Sequence, residues 1–413
     1  MKKIIALVVA TYLIVQSWTS AFTFNPLFPP HVVFGITSVL SYGCYKLASK
    51  RGVARGAYEL EDNLTFFLIA WLTIAALSNP RGIDSVKYIA AYVYVFIFAF
   101  LGIKGALYET LETKSIFDYL IVGVMLTSAV SAAEIVIDYR FGVDISTYLF
   151  RHREIPATYG GILRHGGIPR SAAFSTEPGI LAFYLETLGL IAAWSIWRRQ
   201  WGWGFKALSL SIIFAGWVAS FSAASVAGLL AGISVVAFIA LYRTRSLMAR
   251  SAIIFVLPLM LWGGYEAPRY LGNTYLDPII SKINLEGSSA RGRLSRWVKG
   301  MNKVSQNPIV GVGPGTASSK GKISNISWYL FLSVESGILS VIIVISFLFT
   351  KFVRLVKSNL QGKYVFITSF VAGSVHLAVI STFFHPFLWT TIAITDVMIN
   401  RTKNKNIHVR HIS

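Results

Sequence analysis

The stretch RSAAFSTEPG, residues 170–179, places an arginine and a glutamate immediately before an apolar run. Pro178 suits the first position of a helix, so Glu177 falls at or next to the N-cap, where the helix dipole favours an ionised carboxylate. Arg170 lies close enough along the chain to pair with Glu177 or with a ligand phosphate. Glu177 is therefore either a plain capping residue or a general base, and the residue pattern leaves both readings open.

A second group of candidate residues lies in RGRLSRWVKGMNKVSQNPIVGVGPGT, residues 291–316. If its first part is helical, Arg293 and Arg296 share a face with Trp297. The glycines of GVGPG let backbone approach another group closely. A nucleotide-binding loop is not indicated, because this motif does not follow a strand within a βαβ unit.

Ionisable residues inside apolar segments form a third group, of which Glu335 in WYLFLSVESGILS is the clearest member. A carboxylate within a membrane usually faces the bundle interior or a polar cavity. Weaker candidates of the same kind are Glu134, Glu186, His376 and Asp396. We expect these to make helix-packing hydrogen bonds or to lie at the ends of spans.

Twelve apolar segments define the elements that must position these residues. Mean hydropathy is +0.60 and only 14% of residues are charged, and a bilayer core of about 30 Å needs roughly 20 apolar residues per helix. The segments lie near 4–20, 31–48, 64–79, 87–104, 116–137, 179–197, 206–221, 225–242, 250–265, 328–350, 364–380 and 385–399. This pattern predicts an all-α, polytopic membrane helical bundle with about 12 transmembrane helices, a single domain over residues 1–413. The seventh and eighth segments are joined by SFSAAS, a candidate tight hairpin.

The distribution of basic residues predicts which loops face which side. Lys2 and Lys3 place the N-terminus in the cytoplasm, and an even number of spans returns the basic C-terminus there. Two large outer loops then cover residues 138–178 and 266–327. With this topology 16 of the 38 Lys and Arg residues are outside, including Arg164 and Arg170. Either these are solvated loop charges or they bind an anionic ligand on the far side of the membrane. No nucleic-acid-binding module is visible.

Several of these fragments resemble the bacterial O-antigen polymerase/ligase family, the integral membrane Wzy and WaaL proteins. The stretches GRLSRW, NPIVGVGPG and YLFLSVESGILS are similar to the family's arginine-before-tryptophan, NP-x-x-G-x-G and YL…E-x-G patterns. RSAAFSTEPGILA is similar to the R-x-x-G-x-F-x-E-P stretch of the polysaccharide polymerases, and SFSAASVAGLLA to their serine-rich span. The order of these fragments along the chain matches the family's order.

The resemblance implies a GT-C-like fold and an enzyme of the bacterial inner membrane, with its active site facing the periplasm. It implies a metal-independent, inverting glycosyltransferase that needs no cofactor and joins polyprenyl-pyrophosphate-linked oligosaccharide repeat units, with a chain-length regulator as a further partner. Glu177, Arg170 and Arg293 would be catalytic. Residues expected to bind the substrate or its pyrophosphate are Arg291, Arg296, Arg164, His385, Gly311 and Gly313.

Two alternatives stay open. An O-antigen ligase would transfer finished polymer to the lipid A core, but the His-Asn pair that precedes the YL helix in ligases is replaced by Ile326 and Ser327, which favours a polymerase. A lipid-linked glycan flippase or other transporter would also use twelve spans and intramembrane acids. The sequence contains no visible internal repeat of the kind that transporters usually have.

Overall fold

The computed structural model describes residues 1–19, 22, 28–49, 58–143, 145, 163–165, 168–244, 288–315, 327–380 and 384–410, and these are almost entirely helical. The helices are α1 (Lys2–Val15), α2 (Pro30–Ala48), α3 (Asn63–Ser78, after a 3₁₀ turn at Leu60–Asp62), α4 (Ile83–Thr110), α5 (Thr113–Phe141), α6 (Pro178–Arg198), α7 (Trp203–Ser220), α8 (Ala223–Arg243), α9 (Ser288–Gln306), α10 (Trp328–Ser336), α11 (Ile338–Lys357), α12 (Lys363–Leu377) and α13 (Phe387–Arg410). Two short strands, β1 (Leu163–His165) and β2 (Ile168–Arg170), pair antiparallel. Helices α4 and α6 contain π-helical stretches at Tyr94–Gly102 and Leu185–Gly189.

Within the described residues, seven helices are long and apolar enough to cross a membrane. They are α3 with its preceding turn, α4, α5, α6, α7, α8 and α11. The all-α class and the membrane character are therefore confirmed, whereas twelve spans and their orientation stay predictions. The predicted segment 250–265 lies outside the described residues.

Contacts between the termini of the helices show which termini lie together at each of the two ends of the bundle. At one end of the bundle, the residues after the C-terminus of α1 contact the N-terminus of α2, where His31 Nδ1 lies 3.2 Å from the Trp18 carbonyl oxygen. At the other end, Lys104 near the end of α4 contacts Asp62 at the start of α3. We name these the Glu177 end, because α6 begins there, and the Asp62 end. A chain that passes back and forth between the two ends is what an up-and-down membrane bundle requires.

The core surrounds α13 and the π-helical part of α4. Trp389 of α13 is fully buried and lies 4.7 Å from the Phe96 ring and 5.7 Å from the Trp328 ring, centroid to centroid. Such tilted and edge-on aromatic pairs are favourable beyond the area that they bury. The helix that begins beside His385 is thus held rigidly in the centre of the bundle.

The tight connection predicted at SFSAAS is present, but the two helices that it joins do not pack along each other as a hairpin. Only Phe221 and Ser222 separate α7 from α8, and Phe221 adopts a left-handed conformation with φ of 45°. The two helices nevertheless pack on different partners, α7 on α5 and α8 on α12. Because Gly228 and Gly232 lack side chains, the backbone of α8 can lie directly against α12.

The structure also corrects the predicted span 328–350, which is broken at Gly337. This residue has φ of 80° and ψ of 173°, and a Cβ on it would lie 1.6 Å from the Ile309 carbonyl oxygen. Only glycine fits such a backbone position. The membrane-length helix is α11, and Glu335 belongs to the short helix α10 that precedes it.

Candidate functional site

The described residues before α6 form a strand pair and a turn rather than a helix, as the glycines and prolines of this stretch predicted. Strand β2 pairs with β1 so that Arg170 faces Leu163 and Pro169 faces Arg164. Arg170 is half-buried and its Nε donates to the Ser220 carbonyl at 3.2 Å, at the end of α7. This contact fixes the arginine at the Glu177 end of the bundle.

Glu134 of α5 stabilises the turn that follows β2. Its Oε2 accepts hydrogen bonds from Ser171 Oγ at 2.6 Å and from the Ala173 N–H at 3.0 Å. Ala173 adopts a left-handed conformation, with φ of 45°, that costs a residue with a side chain about 1–3 kcal/mol. The buried carboxylate therefore stabilises a turn that the local backbone alone disfavours.

The end of α1 supports the same turn from the side. Ser175 Oγ donates to the Ser17 carbonyl at 3.1 Å, and the Thr176 N–H donates to Thr19 Oγ1 at 3.0 Å. Together with the Glu134 contacts, these bonds fix residues 171–176 against α1 and α5. The backbone that leads into Glu177 is consequently well ordered.

Glu177 occupies the N-cap position of α6, with Pro178 at the first helical position, as predicted. Its side chain makes no capping hydrogen bond and is exposed. Arg170, its predicted partner, donates its Nε to Ser220 instead. The carboxylate is thus placed at the helix start, where the positive end of the helix dipole favours negative charge, and is accessible from outside the bundle.

The helix predicted over the second group of arginines is present as α9. The side chains of Arg291 and Arg293 lie outside the described residues, and Arg164 is described only by its place in β1. Arg296 is half-buried and its Nε donates to the Gly292 carbonyl at 3.0 Å, while Trp297 packs on Phe331 and Val334. Tryptophan thus anchors α9 to α10.

The GVGPG turn approaches protein backbone closely. Gly311 and Gly313 have φ of 67° and 96°, and a Cβ on Gly313 would lie 2.3 Å from the Asn79 carbonyl oxygen. The Gly313 N–H donates to the Glu335 carbonyl at 3.0 Å, and Glu335 Oε1 accepts from the Gly315 N–H at 2.9 Å. The turn therefore connects α10 to the α3–α4 junction, and its predicted contact with pyrophosphate stays a prediction.

His385 lies just before α13, buried, with its ring stacked on Phe387 at 5.7 Å. The His31 ring lies 6.3 Å away. Burial lowers the pKa of His385 well below its usual value, and the neighbouring His31 adds to this effect. The imidazole is accordingly neutral at neutral pH.

Sequence reasoning missed a buried ion cluster at the Asp62 end. Lys104 and Lys351 lie between Asp62 and Asp396, with Nζ–Oδ distances of 2.5–2.9 Å, and all four residues are buried. Arg354 extends the cluster to Glu59 at 2.5 Å and to Asp396 at 3.1 Å. The acidic stretch YELEDN, residues 58–63, was the signal available in the sequence.

A groove of about 820 Å³ adjoins this cluster between α3, α11 and α13. Apolar side chains such as Leu64 and Phe67 line it together with Arg354 and Lys357. The groove is at the opposite end of the bundle from Glu177. Its size therefore does not bear on the candidate site.

The other intramembrane ionisable residues also have protein partners. Glu186 Oε1 lies 2.5 Å from His376 Nδ1, with both side chains fully buried. Phe183 stacks on the His376 ring at 4.9 Å. The pair joins α6 to α12, as expected for a packing contact within a membrane. In the described part of the chain, no three His, Cys, Asp or Glu side chains are grouped as metal ligands would be.

The fold and the site define a helical membrane protein that presents an ordered arginine and an exposed glutamate at one end of its bundle. Arg170 and Glu177 share one turn, and His385 reaches that turn through His31 and Trp18. Arg296 and the GVGPG turn are held by separate contacts to α10 and the α3–α4 junction. The chain matches no model of a known protein family, and it has no significant match among curated proteins.

Proposed function

We propose that this protein is an O-antigen or surface polysaccharide polymerase of the bacterial inner membrane. It joins polyprenyl-pyrophosphate-linked oligosaccharide repeat units into a longer glycan at the periplasmic face. The observation that carries the proposal is the accessible Glu177 carboxylate, held at the start of a membrane-crossing helix by the turn that also holds Arg170. This placement supports chemistry on a lipid-linked substrate, because the reacting groups of such a substrate lie at the membrane surface.

The proposed reaction is a single displacement at an anomeric carbon. A hydroxyl oxygen of the acceptor sugar forms the new glycosidic bond as the bond from the anomeric carbon to pyrophosphate breaks. Glu177 takes the hydroxyl proton, and the electron pair leaves with the pyrophosphate. Attack opposite the leaving group inverts the anomeric centre.

Arginines supply the charge that this displacement needs. The leaving pyrophosphate gains negative charge, and a preorganised guanidinium stabilises it more effectively than water does. Arg170 is the best-placed candidate, because its Nε bond to Ser220 holds the side chain beside the turn. Arg293 would act from α9, with Arg291 and Arg296 binding the donor. Removal of a general base typically slows a reaction by 10²–10⁴-fold.

The test is the glycan profile of a deletion strain complemented with variants. We expect Glu177→Gln and Arg170→Ala to yield lipid cores carrying single repeats instead of long chains. Glu112 provides a matched control, because it is also an exposed N-cap glutamate without a capping bond, at the start of α5 and the opposite end of the bundle. Glu112→Gln should retain long chains, as should Arg140→Ala, which removes an exposed arginine in the last turn of α5.

The same assay separates the alternatives. A bare lipid core with polymer accumulating on the polyprenyl carrier would identify a ligase and reject the polymerase proposal. Unchanged long chains in the deletion strain would reject both.

The buried Glu186–His376 pair is the one observation that favours a transporter, since paired intramembrane ionisable residues often relay protons in transporters. For a flippase, loss of His376 would leave repeat units on the cytoplasmic side, which a membrane-impermeant sugar-labelling reagent would detect. For a polymerase, repeat units would still reach the outer side.

A further inference from the structure

A group of polar side chains lies buried beneath the Glu177 turn. Gln16, at the end of α1, is fully buried, and within the described part of the chain neither its Oε1 nor its Nε2 has a hydrogen-bond partner. The same is true of both ring nitrogens of His385, which is 2% exposed. Buried polar atoms in proteins are nearly always hydrogen-bonded. Two side chains with four such atoms at one end of the bundle therefore indicate a missing polar ligand.

Helix register places these side chains at one level. Helices α1 and α13 run in opposite directions, and Tyr12 Oη of α1 lies 3.0 Å from Thr390 Oγ1 of α13. One turn further towards the Glu177 end lie Gln16, which directly follows α1, and Pro386, which precedes α13. Gln16 thus lies at the level of His385.

His31 completes the group from α2. Its Nδ1 lies 3.2 Å from the Trp18 carbonyl, and because a carbonyl only accepts, Nδ1 carries the proton. In the neutral ring, Nε2 is then an acceptor. The His31 and His385 rings are 6.3 Å apart, and Trp18 is next to the Thr19 side chain that binds the Glu177 turn.

We infer that Gln16, His31 and His385 bind the hydroxyl groups of an uncharged sugar, at the acceptor end of the glycan. The inference rests on the proposed function and deepens it. An amide and two neutral imidazoles each offer both a donor and an acceptor, which matches a hydroxyl group. The contacts described for these side chains include no Lys or Arg, so the group suits a neutral ligand better than a phosphate. Donor pyrophosphate and acceptor sugar would thus bind separate groups of side chains.

The test uses the full chain in lipid nanodiscs and, as the probe, the repeat-unit oligosaccharide released from its carrier. We expect Gln16→Leu and His385→Phe each to raise the dissociation constant at least tenfold. Ser369→Ala is the matched control, because Ser369 Oγ is also buried with no hydrogen-bond partner among the described residues, but it lies on α12, where the neighbouring Thr368 contacts α8. All three variants should unfold at or above the wild-type temperature, because removing an unpaired buried polar group is neutral or stabilising.

Equal binding by wild type and Gln16→Leu would overturn the inference, as would no binding to the wild type. The glycan profile of Glu177→Gln then decides the proposed function separately. If that variant yields single repeats, the polymerase stands and only the acceptor site is wrong. If it retains long chains, the proposed function fails as well.

Discussion

The Glu134 carboxylate offers the sharpest test of how the site is built. Its Oε2 is shared by Ser171 Oγ at 2.6 Å and the Ala173 N–H at 3.0 Å, and the side chain is 1% exposed. We consider two replacements. Glu134→Gln retains an acceptor oxygen but removes the charge, whereas Glu134→Leu removes the acceptor altogether.

The expected costs follow from these two bonds. A hydrogen bond to a charged group contributes about 1.5–3 kcal/mol and a neutral bond about 1 kcal/mol. Glu134→Leu should therefore lower the unfolding free energy by about 3–6 kcal/mol, and Glu134→Gln by about 1–4 kcal/mol. Because these bonds hold Ala173 at φ of 45°, the turn should relax and displace Arg170 and Glu177. Glycan chains should shorten in the same order, leucine more than glutamine.

Unfolding in mixed micelles measures the first effect, and the glycan profile measures the second. Asp118→Asn is the control, since Asp118 is on the same helix but forms a partly exposed ion pair with Arg199 at the Asp62 end. Exposed pairs contribute about 0–1 kcal/mol. If Glu134→Leu were no less stable than Asp118→Asn and made chains of normal length, the assigned role of Glu134 in the turn would be wrong.

Three further predictions concern other parts of the molecule. Lys351→Met should lower the unfolding free energy by about 3–5 kcal/mol, because it leaves excess buried negative charge. Replacement of the weakly buried Lys363 should change the unfolding free energy by less than about 0.5 kcal/mol. Equal effects of the two substitutions in unfolding titrations would contradict the ion cluster. Gly337→Ala should destabilise the α10–α11 break, because a Cβ there meets the Ile309 carbonyl, and a native-like unfolding midpoint would contradict this backbone geometry. Because the pKa of His385 is lowered in the folded state, the unfolded state binds the proton more tightly, and the unfolding free energy should fall as the pH drops below about 6.5. His385→Phe should reduce this dependence of stability on pH. An unchanged dependence would show that the residue is not buried as described.

The helices could be predicted because a membrane imposes one strong rule, namely about 20 apolar residues per crossing. The turn before α6 was equally predictable, since the glycines and prolines of residues 164–179 interrupt an otherwise apolar pattern. The break at Gly337 was not, because hydropathy continues through a glycine and the positive φ depends on a contact with Ile309. The residues next to Gly337 in the sequence do not indicate that contact.

Some residues of the candidate site could be predicted from the sequence and others could not. Glu177 and Arg170 stand out because they are charged residues at the edge of an apolar run. Gln16 and His31 do not, since a single polar residue in an apolar segment is unremarkable until its neighbours are known. The ion cluster is harder still, because it joins residues as distant as Asp62 and Lys351, 289 positions apart.

The ion cluster also bears on how the chain enters the membrane during synthesis. Asp62 and Lys104 are made early, and they alone form a neutral pair at 2.5 Å. Lys351 and Asp396 are made much later and form a second neutral pair at 2.7 Å. Each half of the cluster can therefore be inserted with its own charges compensated, so neither pair depends for its neutrality on the other.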